Sequence, residues 1–479
     1  RGDMPVSFTF NGIKKDYLRM LVGMERPAWA PIEEEILEIP GRPGGIITKQ
    51  HTTVRRLNIP VRVYKKGFNS LEELEEDLAA WLVTDEPKPL EFDHKPNRVY
   101  YAKVTGELIF TEYPQWADGV ISFICPDPYK YGPELTATFS GDVVTLENKG
   151  TAYADPVFEL TVKKPVTFAM IANQDDEYIM IGKPADVNMT VVNPKTELLY
   201  ENGETIGEWT QAPPDWGGHQ GTIGYDGAGI TAPSYGTGTG YHGPAVFKEV
   251  PATKDFEIEL RGQLLTDNVA QTGRFGFFLY DEELRQIAFM AAIDNSQWVN
   301  RKLAEGRIGP YIGDFKNYII SSRNYQKEWD NFPAYLRLRR EGDRYEFYVA
   351  RILGDGSHME PLTASWTVWE DQFRGSLKYV GIFIEKYGDT PSPHTNRIDW
   401  IKVHALTPVT EDQTPYIAYP GDVIEFDHKN ADILINGESR TDLKQLGASF
   451  FKLKKGENRL VVSPADSFDV KCRYRPTYL

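Results

Sequence analysis

Residues 129–192 hold only a few strand-like runs, of which Phe158-Glu159-Leu160-Thr161-Val162 and Tyr178-Ile179-Met180-Ile181 are the clearest. A sheet that small is a poor core of its own. Residues 411–479 have the same character, with strands at 422–426, 432–435 and 459–462 and a turn at Asn436-Gly437. Two incomplete sandwiches on either side of a long segment predict one unit interrupted by another. Such an insertion is tolerated because the ends of a compact domain often lie close together. The 479 residues leave room for about three domains at roughly 150 residues each.

The segment before these halves, residues 1–128, alternates at a period of two. Val6, Phe8 and Phe10 point one way, and Leu57, Ile59, Val61 and Val63 repeat the pattern. Between them Ile39-Pro40-Gly41-Arg42-Pro43-Gly44-Gly45 excludes regular structure over its own length. One helix stands out. Ser70-Leu71-Glu72-Glu73 is a capping box in which Ser70 and Glu73 satisfy each other's amides, and Leu71, Leu74, Leu78 and Leu82 follow at helical spacing. Cys125-Pro126-Asp127-Pro128 marks a boundary.

The interrupting segment, residues 193–410, opens on a glycine-rich stretch from 216 to 243, read as the long loops of a sandwich. Strands follow at close spacing, at 256–260, 275–279, 287–291, 335–339, 345–350, 379–384 and 398–403. This is a jelly-roll pattern.

Charge excludes some functions. Lys plus Arg number 53 against 69 Asp plus Glu, a net −16, so neither nucleic acid nor an anionic membrane is an expected partner. No apolar run is long enough to span a membrane, and no signal-peptide core opens the sequence. Cys125 and Cys472 read as two half-buried thiols, which suits folding in a reducing cytosol. Asn188-Met189-Thr190 matches a glycosylation acceptor, a match without meaning in a reducing cytosol.

The first segment resembles the N-terminal domain of siphophage distal tail proteins. The resemblance rests on Phe10-Asn11-Gly12-Ile13, Glu38-Ile39-Pro40-Gly41-Arg42, the capped helix, and the exit Cys125-Pro126-Asp127-Pro128-Tyr129. The two half-sandwiches resemble that family's galectin-like second domain through Asn148-Lys149-Gly150-Thr151, Pro156-Val157-Phe158-Glu159, Tyr419-Pro420-Gly421-Asp422 and Ile433-Leu434-Ile435-Asn436-Gly437. The middle segment departs from the simplest pattern and resembles the "evolved" type, which carries inserted carbohydrate-binding modules; its own sandwich resembles the concanavalin type.

The resemblance implies a mainly β chain: a β-sandwich-like ring domain with one helix (1–128), and a galectin-like sandwich (129–192 and 411–479) interrupted by a concanavalin or jelly-roll sandwich (193–410). It further implies a homohexameric ring, contacts with the tail tube protein and the tail-associated hub protein, host cell-wall polysaccharide as ligand, and a place in the virion tail after assembly in the host cytoplasm.

Sugar sites combine aromatic platforms with a few polar groups. The candidates are Trp216, Tyr235, Tyr241, Trp298, Tyr311, Tyr325 and Trp329, several in amide-rich loops such as Asp294-Asn295-Ser296-Gln297-Trp298. Trp366, Trp369 and Trp400 sit in strand-like runs and read as core. No catalytic motif, metal site or cofactor is expected: His219 with His242, and Asp226, Asp294 and Asp399 as calcium ligands, have no distinguishing spacing. A competing reading is a concanavalin-like glycoside hydrolase using Asp255, Glu257 and Glu259, which alternate along one strand; they are expected instead to form a solvated outer face. A free secreted lectin is a third reading, disfavoured by the lack of a signal sequence.

Overall fold

The computed structural model describes residues 7–186, 188–213, 216, 220–310, 318–320, 326–368 and 373–479. It is mainly β, with one α-helix among the described residues. Buried side chains gather into three large cores.

The first core lies between a sheet and the helix Leu71–Leu82. Strands run in the order Phe8–Phe10, Lys88–Phe92, Val99–Val104, Trp116–Cys125, Arg55–Tyr64 and Leu18–Met20. The helix buries Leu74, Leu78, Trp81 and Leu82, and Trp81 Nε1 donates to the Phe10 carbonyl at 3.0 Å. Its cap differs from the sequence expectation. Ser70 Oγ accepts from Glu73 N, but the Glu73 carboxylate turns to Asn69 N at 2.7 Å rather than to Ser70. One hairpin stands off this body: Ile32–Glu38 pairs with Gly45–Thr52, and every residue of both strands is exposed.

The second core is built from both sides of the middle segment. Val157–Val162 pairs on one edge with Val423–Asp427 and on the other with Phe468–Tyr474. In the facing sheet, Val143–Asn148 and Phe168–Asn173 both pair with Gly456–Ser463. Phe158, Leu160, Ile171, Ile424, Phe426 and Leu460 meet between the two sheets. Thr190–Val192 pairs with Gln413–Pro415 where the chain leaves and returns. Thr477–Tyr478 then pairs with Lys130–Tyr131, which bonds in turn to Val99 of the first sheet.

The third core is a sandwich of two eight-stranded sheets. Phe256–Leu265 is flanked by Phe332–Glu341 and Thr395–Leu406 in one sheet. Gly273–Asp281 is flanked by Gln286–Asp294 and Leu377–Tyr387 in the other. The stretch expected as loops also contributes short strands at Thr222–Tyr225, Ile230–Ser234 and Tyr241–His242.

Candidate functional site

Side chains alternate across a strand, so the outward face of a sandwich sheet is normally polar. The second sheet of the middle sandwich breaks that rule. Phe275, Phe277 and Leu279 enter the core, yet Phe278 and Tyr280 on the opposite face are apolar too. On the neighbouring strand Val380, Ile382 and Ile384 point inward while Tyr379, Phe383 and Tyr387 point outward. Phe289, Ala291 and Ile293 extend the same outward surface.

Small residues flatten this floor. The Phe278 ring lies on Gly381, where an added Cβ would come within 1.8 Å of it. Trp216 stacks on Tyr280 at 3.8 Å with the rings 6° from parallel. Charge is set among the rings. Arg274 pairs with Glu385 and lies 4.0 Å over Tyr241, and Arg307 lies 4.2 Å over Phe289 with Glu305 3.5 Å away. Tyr241 Oη is buried and has no hydrogen-bond partner among the described residues, and burial raises its phenol well above the usual value. The floor itself is closed, Phe278 being 1% and Trp216 7% exposed, and it reaches solvent at Tyr387, 48% exposed.

The candidates named from sequence fall into five groups. Trp216 and Tyr241 belong to this floor. Trp298 stands in solvent at 81% exposure, its loop folded by Ser296 Oγ accepting from Trp298 N and Val299 N. Tyr235 is half-buried against the inner core, and burial raises its phenol. Trp329 is fully buried and stacks on Phe332 at 4.9 Å, so it is core and offers no ring face to a sugar. Burial likewise corrects Trp216 as an open loop platform: its ring is covered and serves the floor. Tyr311 and Tyr325 lie outside the described residues, as do His219 and Trp369. Sequence reasoning missed Phe278, Tyr280, Phe289, Phe383 and Tyr387. The signal was present: strands apolar at both parities are buried on both faces.

The three strand acids also differ from expectation. Asp255 Oδ1 accepts from Gly342 N, as a turn cap. Glu257 is only 2% exposed; Lys195 and Arg339 close on it, so the expected solvated face is a buried charged seam. Burial pushes its carboxyl up, but Lys195, Arg337 and Arg339 outweigh burial and hold it below the usual range. Glu259 accepts from Tyr335 Oη at 2.5 Å and lies 3.6 Å from His404 Nδ1. Arg337 carries the seam across to Glu438 of the second sandwich. A glycosidase acid needs a raised carboxyl, and Glu257 is shifted the other way.

Ligand atoms of Glu257, Glu259 and His404 lie within 4.8 Å of one another, a metal-like grouping. The cations around Glu257 already supply the positive charge such a group calls for. The carboxylates considered for calcium are engaged as well. Lys302 lies 3.3 Å from Asp294, Asp226 caps Ala228 and Gly229, and Asp399 faces Arg397 and Arg261. Both cysteines are fully buried rather than half-buried, and burial pushes the Cys125 thiol up to about 12.

Against known proteins, residues 14–125 match the family described as phage tail protein RIFT-related domain. Residues 409–478 match the siphovirus-type tail component, C-terminal domain. The distal tail protein of Bacillus phage SPP1 is 28% identical over 130 residues, covering 27% of this chain and 51% of that protein. The chain thus spans about half the length of this curated relative. A crystal structure of the SPP1 protein aligns over 37% of this chain and 74% of that one, with 23% identity and a TM-score of 0.34. The CBM2 module of an evolved distal tail protein from Lactobacillus casei BL23 phage J-1 aligns over 46% of this chain and all of that one, with 18% identity and a TM-score of 0.37.

Proposed function

The chain belongs at both ends to the siphophage distal tail proteins, and from that membership we propose that it is a structural component of the tail tip, joining the tail tube to the hub. In this reading residues 1–128 form a homohexameric ring. Residues 129–192 and 411–479 make one galectin-like sandwich, and residues 193–410 are an inserted unit that binds host cell-wall polysaccharide during adsorption. The protein assembles in the host cytoplasm and ends in the virion tail.

The observation that carries the structural part is the pair of family matches on either side of the middle segment. The shared second core supports the interruption, because strands from before and after residues 193–410 pair directly. The exposed hairpin supports self-assembly, since a two-stranded ribbon with Ile36, Leu37, Ile46 and Ile47 in solvent is marginal alone. Size exclusion with light scattering on the full chain, alone and with tube and hub proteins, tests the ring. A hexamer is the expected result, and a chain that stays monomeric with both partners rules the ring out.

The glycan part is supported by the exposed rings of Trp298 at the loop end and Tyr387 where the aromatic sheet face meets solvent. Exposed aromatic rings match the apolar faces of sugars. Six weak sites on one ring would hold a repeating polymer by avidity. Sedimentation of the full chain with purified host wall polysaccharide tests this. No co-sedimentation at millimolar repeat units removes the reading.

A further inference from the structure

Five cations gather where the first sheet meets Lys130–Tyr131. Lys130 feels Arg55, Arg26, Arg98 and Lys95 at once, and burial together with these charges pushes its ammonium down to about 8. Arg55 is buried and spends its donors on the carbonyls of Pro27 and Pro128. Arg98 lies 3.6 Å over the Tyr478 ring. None of Arg26, Lys95, Arg98 and Lys130 pairs with a carboxylate among the described residues. The acids close in sequence are taken: Asp93 by Lys14 and Ser7 N, Asp127 by Tyr129 N and Tyr131. In a chain of net charge −16, an unpaired cation cluster is a place for an anion.

An apolar pocket of ≈ 340 Å³ adjoins it, reaching Arg55 and walled by Ala28, Trp29, Ile32, Pro128, Tyr129 and Leu479. Trp29 is 64% and Leu479 48% exposed. This surface wants a partner that is acidic and apolar together.

The standing hairpin has that chemistry. Ile36 faces Ile47 and Leu37 faces Ile46, on successive pairs and therefore on opposite faces, so the tip is apolar on both sides. Glu33, Glu34, Glu35 and Glu38 line the same ribbon. Lys49 and His51 answer Glu35 and Glu33, leaving Glu34 and Glu38 without a cation among the described residues. The hairpin cannot serve its own pocket. Ile32 and Thr52 already stand at the pocket edge, and the strands carry Glu38 roughly 20 Å away.

We propose that the hairpin Ile32–Glu38/Gly45–Thr52 of one copy docks on the apolar pocket and the Arg26, Lys95, Arg98 and Lys130 cluster of a second copy. The two surfaces differ, so the contact is head-to-tail and closes a ring if the rotation permits. The proposal rests on the ring reading and names the contact that makes it.

The test is charge reversal followed by rescue, read by light scattering on the full chain with its tube and hub partners. Arg26→Glu with Lys95→Glu, and separately Glu34→Lys with Glu38→Lys, each raise the concentration for half-assembly by roughly tenfold or more. All four changes in one chain restore assembly. Assembly indifferent to either pair, or lost in each pair and not rescued, overturns the docking while the ring reading stands. A wild-type chain that stays monomeric with its partners overturns both. Should the fourfold variant misfold, an Ile47→Cys chain mixed with an Ala28→Cys chain decides: a mixed disulfide supports the contact, and its absence in an assembled sample refutes it.

Discussion

Glu257 keeps its charge because Arg339 closes on it from the adjacent strand and Lys195 from the strand beyond Thr395–Leu406, and removing either cation strands a buried carboxylate. Lys195→Met is expected to cost about 3 kcal/mol in denaturant unfolding. Glu257→Gln added to it returns part of that loss, because no unpaired charge then remains. The buried histidines set the acid limit. Burial lowers His428 and His358 to about 4, and for His428 it outweighs the backbone of Phe451, which lies 2.8 Å from Nδ1 and favours the charged ring. Their folded values lie below the unfolded value, so this stability is complete above pH 6.5 and lost as pH falls toward 4. A urea midpoint that drops through that window, and drops less in His428→Gln, is the expected result. Trp298→Ala should change stability by less than about 0.5 kcal/mol yet weaken polysaccharide binding several-fold in co-sedimentation. At this scale the sequence misled in a consistent way. Trp329 and Trp298 share amide-rich neighbours, and only packing separates a ring stacked on Phe332 from one in solvent.

Elements with strict periodicity were legible and those without it were not. The helix could be read from its leucines and its cap, and Leu78→Ala should cost about 3 kcal/mol in thermal unfolding. Ser70→Ala should cost about 1 kcal/mol through its one amide contact. The strand Arg55–Tyr64 announced itself by the alternation of Leu57, Ile59, Val61 and Val63, all fully buried. The hairpin Ile32–Glu38/Gly45–Thr52 did not. Glu33-Glu34-Glu35 has no alternation, and an irregular register beside Glu35 shifts Ile36 out of phase. Its proline-glycine turn was visible, but no buried face existed to impose a period on the strands it joins. The aromatic floor escaped for the opposite reason. Both faces of Gly273–Asp281 are buried, so alternation vanished into a continuous apolar run.

Across the whole molecule, the interruption was read from a deficit: too few strands on each side for either half to close a core. The joints and the packing were not readable, since Arg337 with Glu438 and the Thr190–Val192 ladder with Gln413–Pro415 join residues far apart in sequence. A chain lacking residues 193–410, with a short glycine linker from Val192 to Glu411, should still melt as a cooperative β-structure, because the second core uses only flanking strands. Loss of that transition in calorimetry would show that the middle sandwich holds the other together.

That second core, shared between strands from both sides of the middle segment, also governs what happens when the polypeptide is severed. A protease arriving at a surface loop of residues 193–410 cuts the backbone and frees nothing, since each fragment still contributes strands to one interleaved sandwich. Two bands on a denaturing gel would elute as one species from a native column. The nicked protein would keep its middle sandwich attached.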